Sequence, residues 1–195
     1  IHVGETGNRT YARAAWLAGA VAQLKAAGAR PFLTDTATLY SGRRSNAVVH
    51  AELAAEHGFC VAGAGAPFLP PDGLYGDRET PVAIDGEIYD EVSVAAGIRR
   101  AQSMLVVSHL TGHIGTGMGA AIKNLGMGCT GRTGKRRQHS AMAPRIKAKK
   151  CTACGECVAC CPVGAIRMDD AAAVIDADTC IGCGQCLAIC RFGAV

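Results

Sequence analysis

Aromatic residues make up only 5% of the 195 residues, so any core must be built mainly from Ala, Val, Ile and Leu. No run approaches the ~20 consecutive apolar residues that cross a bilayer, which excludes a membrane-spanning helix. An initiating Met is missing as well. The chain opens "IHVGETGN", which reads as the middle of a strand entering a loop and has no signal-peptide pattern. The expectation is a soluble, cytoplasmic protein that lacks some sequence before Ile1. Acidic residues are absent from residues 131–150, "GRTGKRRQHSAMAPRIKAKK", which hold eight of the chain's 20 Lys and Arg. Aromatics are absent there too. The stretch therefore offers nucleic acid no stacking platform, and a nucleic-acid partner is disfavoured. Pro144 and the lack of apolar periodicity make it read as a basic linker. It has three candidate roles: a solvated spacer, a cationic neighbour of an anionic site, or a docking segment for an acidic electron-transfer partner such as a flavodoxin.

Cysteine, by contrast, is abundant. The count is 11, an odd number that argues against a complete set of disulfides, and nine of the 11 lie between Cys151 and Cys190. Cys60 and Cys129 sit singly in apolar or Gly-rich surroundings and read as small hydrophobes. Nothing in this usage points to an oxidising compartment.

Sliding the sequence against itself by 29 residues lays "CTACGECVACCPVGAI" (151–166) on "CIGCGQCLAICRFGAV" (180–195), with eight of 16 positions identical. Such a repeat implies one local structure built twice. Cys160 falls on Ile189 and Cys161 on Cys190, so Cys160 is the spare, a packing residue. Each copy then reads C-x2-C-x2-C-x3-C. Closely spaced cysteines on a turning backbone present their sulfurs to one side, and Gly155 and Gly184 let the chain curl tightly. The spacing is the bacterial-ferredoxin pattern for [4Fe–4S] binding, in which the fourth cysteine ligates the other cluster. Cys151, Cys154, Cys157 and Cys190 are thus expected at one cluster, and Cys180, Cys183, Cys186 and Cys161 at a second. Structural zinc more often takes two separated C-x2-C pairs, and a disulfide framework would not repeat in this register. Residues 151–195 are also near the ~40-residue size below which a chain usually needs metal, disulfides or a partner to fold. Their single aromatic is Phe192. Val158, Ile166, Val174, Ile175, Ile181, Leu187 and Ile189 would wrap the clusters, with ligation supplying folding free energy.

Upstream, residues 1–130 alternate strand-like and helix-like runs. "TYARAAWLAGAVAQLKAAG" places Leu17, Val21 and Leu24 at helical spacing, with Thr10 as the cap and Gly28 as the stop. "SNAVVHAELAAEHG" reads as a second helix capped by Ser45 and ended by Gly58. "PFLTD" and "FCVAGA" read as strands, and "PVAIDGEIYDEVSVA" as a hairpin around Asp85-Gly86. A short helix near 96–102 leads into "SMLVVSHL", an apolar run suited to a buried parallel strand. The expected fold is an α/β domain (1–130) with a mostly parallel sheet. The basic linker (131–150) joins it to a small α+β, bacterial-ferredoxin-like two-cluster domain (151–195).

Ligands of such sheets sit beyond the strands' carboxyl ends, where "HVGETGN", "TDTATLYSGRRSN" and "SHLTGHIGTGMGAAIKNLGMG" are expected. In the last, Gly112, Gly115, Gly117 and Gly119 precede a helix carrying Lys123 and Asn124, an arrangement that attracts anions. It lacks the G-K-[ST] ending of a phosphate loop and the later acid of a dinucleotide site. His109 and His113 are four apart, as helical metal ligands would be, yet Thr111-Gly112 between them favours two hydrogen-bonded histidines in a loop. Arg43 and Arg44 read either as a clamp for a carboxylate or phosphate or as surface charges. His109, His113, Lys123 and Arg43 are the candidate catalytic residues.

"HVGETGN", "PFLTDTATLYSGRRSNAV", "SHLTGHIGTGMGAAIKNLGMGC", "GKRRQHS" and the two cysteine runs together resemble the family of domain of unknown function 362, in its form fused to a ferredoxin-like domain. The resemblance implies a cytoplasmic iron–sulfur protein of the kind common in anaerobes and supplies no reaction. The chain departs from the family pattern at Thr111, where Lys is usual, at Met118-Gly119-Ala120, and at Arg191, where Pro commonly follows the last cysteine.

The expected function is electron transfer through two [4Fe–4S] clusters coupled to the α/β domain, with a ferredoxin, flavodoxin or reductase as redox partner. The alternatives are a reductase acting on a small anionic ligand and a structural or redox-sensing iron–sulfur module.

Overall fold

The computed structural model describes residues 1–39, 42–113, 117–139, 144–180, 182 and 185–195. Gly115, Ile181, Cys183 and Gly184 lie outside the described residues. The chain divides into two compact units, Ile1–Gly134 and Lys135–Val195. None of the described helices is long and apolar enough to cross a membrane.

In the first unit, α1 (Ala14–Ala26) buries Ala14, Leu17 and Val21. Its start is Arg13 rather than Thr10, because Thr10 is already held by the Asn8 side chain through both its N–H and its hydroxyl. Gly28, at a φ of 83°, follows its last turn. Helix α2 (Ala47–Glu56) is capped by Asn46, whose side-chain Oδ1 accepts the N–H groups of Val48 and Val49. Ser45 was the expected cap; the side chain with the right reach stands one residue later.

The segment "FCVAGA", expected as a strand, forms α3 (Val61–Ala64). Val61 is 64% exposed while Phe59, Ala64 and Ala66 are buried, so the run has no alternation, and its hydrophobicity alone did not separate helix from strand. A side chain at Gly63 would collide with the Gly58 carbonyl, so only glycine lets the chain fold back this closely. Leu17, Val21, Leu33, Phe59, Ala64 and Ala66 belong to one apolar cluster with Val3 and Tyr11.

The expected hairpin is present as β1 (Glu79–Ala83) paired antiparallel with β2 (Glu91–Ala95). It closes through a wider loop than Asp85-Gly86, with Ile84 N–H donating to the Asp90 carbonyl. Helix α4 (Ala96–Arg99) follows. Two further antiparallel ribbons complete the described pairing: β3 (Thr111–His113) with β4 (Gly117–Gly119), and β5 (Ile166–Met168) with β6 (Ala173–Ile175). Parallel pairing among the described residues is confined to one bridge, Leu33 with Phe68. "SMLVVSHL" forms no strand there. Leu105 is 58% and Leu110 65% exposed, and a strand exists only where a neighbour takes its backbone hydrogen bonds.

Helix α5 (Ala121–Gly126) carries Lys123 and Asn124 and is one and a half turns long. Of the glycines before it, Gly112, Gly117 and Gly119 lie in the β3–β4 ribbon, and Gly115, part of the anion-binding loop expected from the sequence, lies outside the described residues. The basic stretch also departs from a simple linker. Residues Arg132–His139 form α6. Arg132 anchors its start, donating to the carbonyls of Thr38 and Ser45. Polar anchoring of this kind leaves no apolar period in the sequence.

Candidate functional site

The second unit carries the cysteines. Helix α7 (Glu156–Cys160) and helix α8 (Gln185–Ile189) pack together, and the β5–β6 ribbon lies between them in sequence. They are related by the same 29-residue offset as the cysteine runs. The offset extends to the backbone. Ala153 is the one described non-glycine residue with positive φ, at 54°, and its counterpart Gly182 is at 62°. Gly164 and Gly193 are likewise matched, at 64° and 58°. Left-handed backbone is costly for any residue with a Cβ, so Ala153 is held there by the local fold rather than by preference.

The sulfurs are treated alike as well. Ala165 N–H donates to Cys161 Sγ at 3.2 Å, and Ala194 N–H donates to Cys190 Sγ at 3.3 Å. Cys180 Sγ accepts the Gly182 N–H at 3.4 Å. The amides of Ala194, Phe192, Val195 and Gly193 together lower the pKa of Cys190, favouring the thiolate that metal binding requires. Burial pushes the Cys157 thiol up, and the nearby Cys151 and Cys154 push the same way. Cys186 is buried in a small cluster with Ile166 and Ala173, against which Cys151, Cys157, Cys160 and Cys161 pack. Both repeats thus contribute sulfur to one apolar centre. The Cys160 thiol donates to the Cys157 carbonyl within α7 at 3.4 Å.

The chemistry of this donor set is compatible with an iron–sulfur group: cysteines in two matched runs, with amides bonded to the sulfurs of Cys161, Cys180 and Cys190. Among the described residues, no three or more His, Cys, Asp or Glu stand together as metal ligands; Cys183 is outside that set. Cys154 is exposed.

A second polar centre lies in the first unit. Arg44, 5% exposed, donates through Nε to Glu5 Oε1 at 2.7 Å and through Nη1 to Asp35 Oδ2 at 3.2 Å. Asp35 also accepts the N–H groups of Val3 and Thr36. Burial alone would raise the pKa of Asp35; the facing His50 imidazole and the Arg44 guanidinium outweigh it and hold the carboxyl well below the usual range. His50 Nε2 is 3.7 Å from Asp35 Oδ2, beyond hydrogen-bond length, so their interaction is electrostatic. The fully buried His50 ring rests on Phe68 instead, with centroids 5.0 Å apart.

The three polar segments singled out in the sequence do converge here. Glu5 of the first pairs with Arg44 of the second, and the Val3 N–H of the first donates to Asp35 of the second. Thr36 of the second donates to the Gly128 carbonyl of the third at 3.1 Å. Lys123, also of the third, has its pKa lowered by burial and by the charge of Arg44. Arg43, in contrast, points away and pairs with Glu56 of α2 at 2.5 and 2.6 Å. His109 Nδ1 is buried without a partner among the described residues, and His113 lies in β3, its side chain outside the description. Sequence reasoning passed over Glu5, Asp35 and His50. The one available signal was Asp35 closing the apolar run "PFLTD".

No curated protein and no solved structure matches the chain. The family model described as Domain of unknown function (DUF362) matches residues 1–185, and with that extent the chain belongs to this family.

Proposed function

We propose that the chain is an iron–sulfur electron-transfer protein with two [4Fe–4S] clusters in a ferredoxin-like C-terminal unit. Cys151, Cys154, Cys157 and Cys190 would hold one cluster, and Cys180, Cys183, Cys186 and Cys161 the other. The observation that carries this reading is the duplicated backbone. Positive φ recurs at 153 and 182 and at 164 and 193, and an amide bonds sulfur at 161 and at 190, all at the spacing of the cysteine repeat. The clusters supply reversible one-electron chemistry. The chain's own groups do the rest: amides stabilise the anionic sulfurs, and Ile166, Ala173 and Val158 limit water around them. Anaerobic purification followed by iron and sulfide analysis and EPR of the reduced protein tests the reading. Two clusters require about eight irons per chain. Zinc, or a folded protein free of iron, would refute it.

A second reading, reduction of a small anionic substrate in the first unit, draws support from the convergence of Lys123 with Arg44, Asp35 and Glu5. In this reading Arg44 and Lys123, rather than Arg43, would face the substrate. Dithionite-driven turnover that is lost in Lys123→Ala at unchanged iron content would favour it.

A further inference from the structure

Most of the exposed cations of residues 144–195 stand at the two ends of the first ligand set; Arg167 in β5 is the exception, and Glu156 is the one carboxylate within the first cysteine run. Arg145, Lys147, Lys149 and Lys150 are exposed and immediately precede Cys151, and exposed Arg191 follows Cys190. This basic turn is not a loose tether. Ile146 packs into the cysteine-lined apolar cluster. The Lys147 N–H donates to the Ala194 carbonyl at 2.6 Å, and the Lys150 N–H to the Lys147 carbonyl. The turn is therefore pinned to the very segment, 190–195, whose amides surround the Cys190 sulfur. None of these five cations forms an ion pair among the described residues. The other acids lie elsewhere: exposed Asp176 and Asp178 just before Cys180, and Asp169 and Asp170 in the β5–β6 turn. Cations thus stand at both ends of the first ligand set, and four carboxylates with Arg167 among them lie between Cys161 and Cys180.

Resting on the cluster reading above, we propose that the turn 145–150 together with Arg191 is the docking surface for an acidic one-electron carrier protein. The site of Cys151, Cys154, Cys157 and Cys190 is then the port through which the carrier exchanges electrons. Unpaired surface cations around one port steer an acidic partner to it and raise the encounter rate. In the transfer, the carrier's reduced flavin loses one electron and the iron–sulfur centre gains it; no bond forms or breaks. A nucleic acid is the competing occupant for such a patch. The absence of aromatic stacking groups in 145–150 favours the protein.

The experiment is stopped-flow electron transfer from flavodoxin hydroquinone to the full chain, purified without oxygen. Wild type should react fastest at low salt, slowing steeply between roughly 0.05 and 0.5 M ionic strength as screening shortens the reach of surface charge. The Lys147→Glu/Lys149→Glu/Lys150→Glu variant should react about tenfold or more slowly at low salt. Re-oxidation of the same reduced variant by cationic hexaammineruthenium(III) should be faster than that of wild type. Asp169→Lys/Asp170→Lys, which raises net charge by four where the triple variant lowers it by six, and does so away from the turn, should leave the flavodoxin rate within about twofold. An unchanged flavodoxin rate in the triple variant at full iron content overturns the docking surface. So does salt-sensitive capture of a single-stranded oligonucleotide by wild type without any salt response of the flavodoxin reaction. Iron and sulfide are measured on every variant, so metal loss, which would sink the cluster reading, is told apart from an unchanged rate at full metal, which sinks the port alone.

Discussion

The two units are stabilised in different ways. The first closes an apolar cluster containing Val3, Leu17, Leu33 and Phe59 and sets a charged network, Glu5–Arg44–Asp35, beside it. The second buries Ile166, Ala173 and Cys186 at the centre of its cluster and surrounds them mainly with half-buried thiols and aliphatic groups. Below roughly 70–80 residues one core seldom supplies enough stability by itself, and natural chains of that size add staples. In the first unit, then, the sites sit on a fold that stands by its own packing. In the second, if the cluster reading holds, fold and site are the same structure.

Iron removal is the most severe way to break this comparison. Treatment with a chelator and oxidant should abolish hydrogen-exchange protection of β5, β6, α7 and α8 while α1 and α2 keep theirs. Simultaneous loss in both units would show that they are not separately stabilised.

Single cysteines sharpen it next. Cys190→Ala should strip the iron held by the first run, whereas Cys160→Ala should keep about eight irons per chain. Equal losses would mean that the ligand sorting, with Cys160 as a packing residue, is mistaken.

The charged network of the first unit comes third. Asp35→Asn removes one of the two carboxylates that face buried Arg44, with Glu5 remaining, and should cost about 2–3 kcal/mol in urea unfolding. The sign with pH follows from the depressed pKa. Asp35 is stabilising when ionised, so its contribution is complete above the unfolded-state value near ~3.9 and falls away as pH drops toward the lower folded-state value. Wild type should therefore lose stability in acid more steeply than Asp35→Asn. Parallel acid profiles would remove Asp35 from the account.

The smallest effect belongs to Ala153. Its φ is positive where the other repeat has Gly182. Ala153→Gly should relieve local strain and stabilise the second unit by up to ~1 kcal/mol, read as a higher thermal midpoint at equal iron content. A lower midpoint would mean that the left-handed geometry at 153 carries no cost.

Legibility differed between the units for a physical reason. Hairpin β1–β2 and helices α1 and α2 were readable because their hydrophobic period or turn residues lie within a dozen positions. Residues 103–110 misled because a continuous apolar run specifies burial without naming a neighbour, and no described strand pairs with it. Residues 132–139 were unreadable because the bonds that start α6 reach from Arg132 to Thr38 and Ser45, far away in sequence.

By itself the sequence determined the duplicated element, its 29-residue step and the register that lays Cys160 on Ile189, since cysteine spacing is a property of neighbouring residues. Tertiary structure alone decided between Arg43 and Arg44. The two are adjacent and chemically identical, yet one meets Glu56 at the surface and the other is enclosed by Glu5 and Asp35. It also decided that the basic turn is pinned beside Cys190. Which charge is buried, and which is left exposed, depends on groups that only folding brings together.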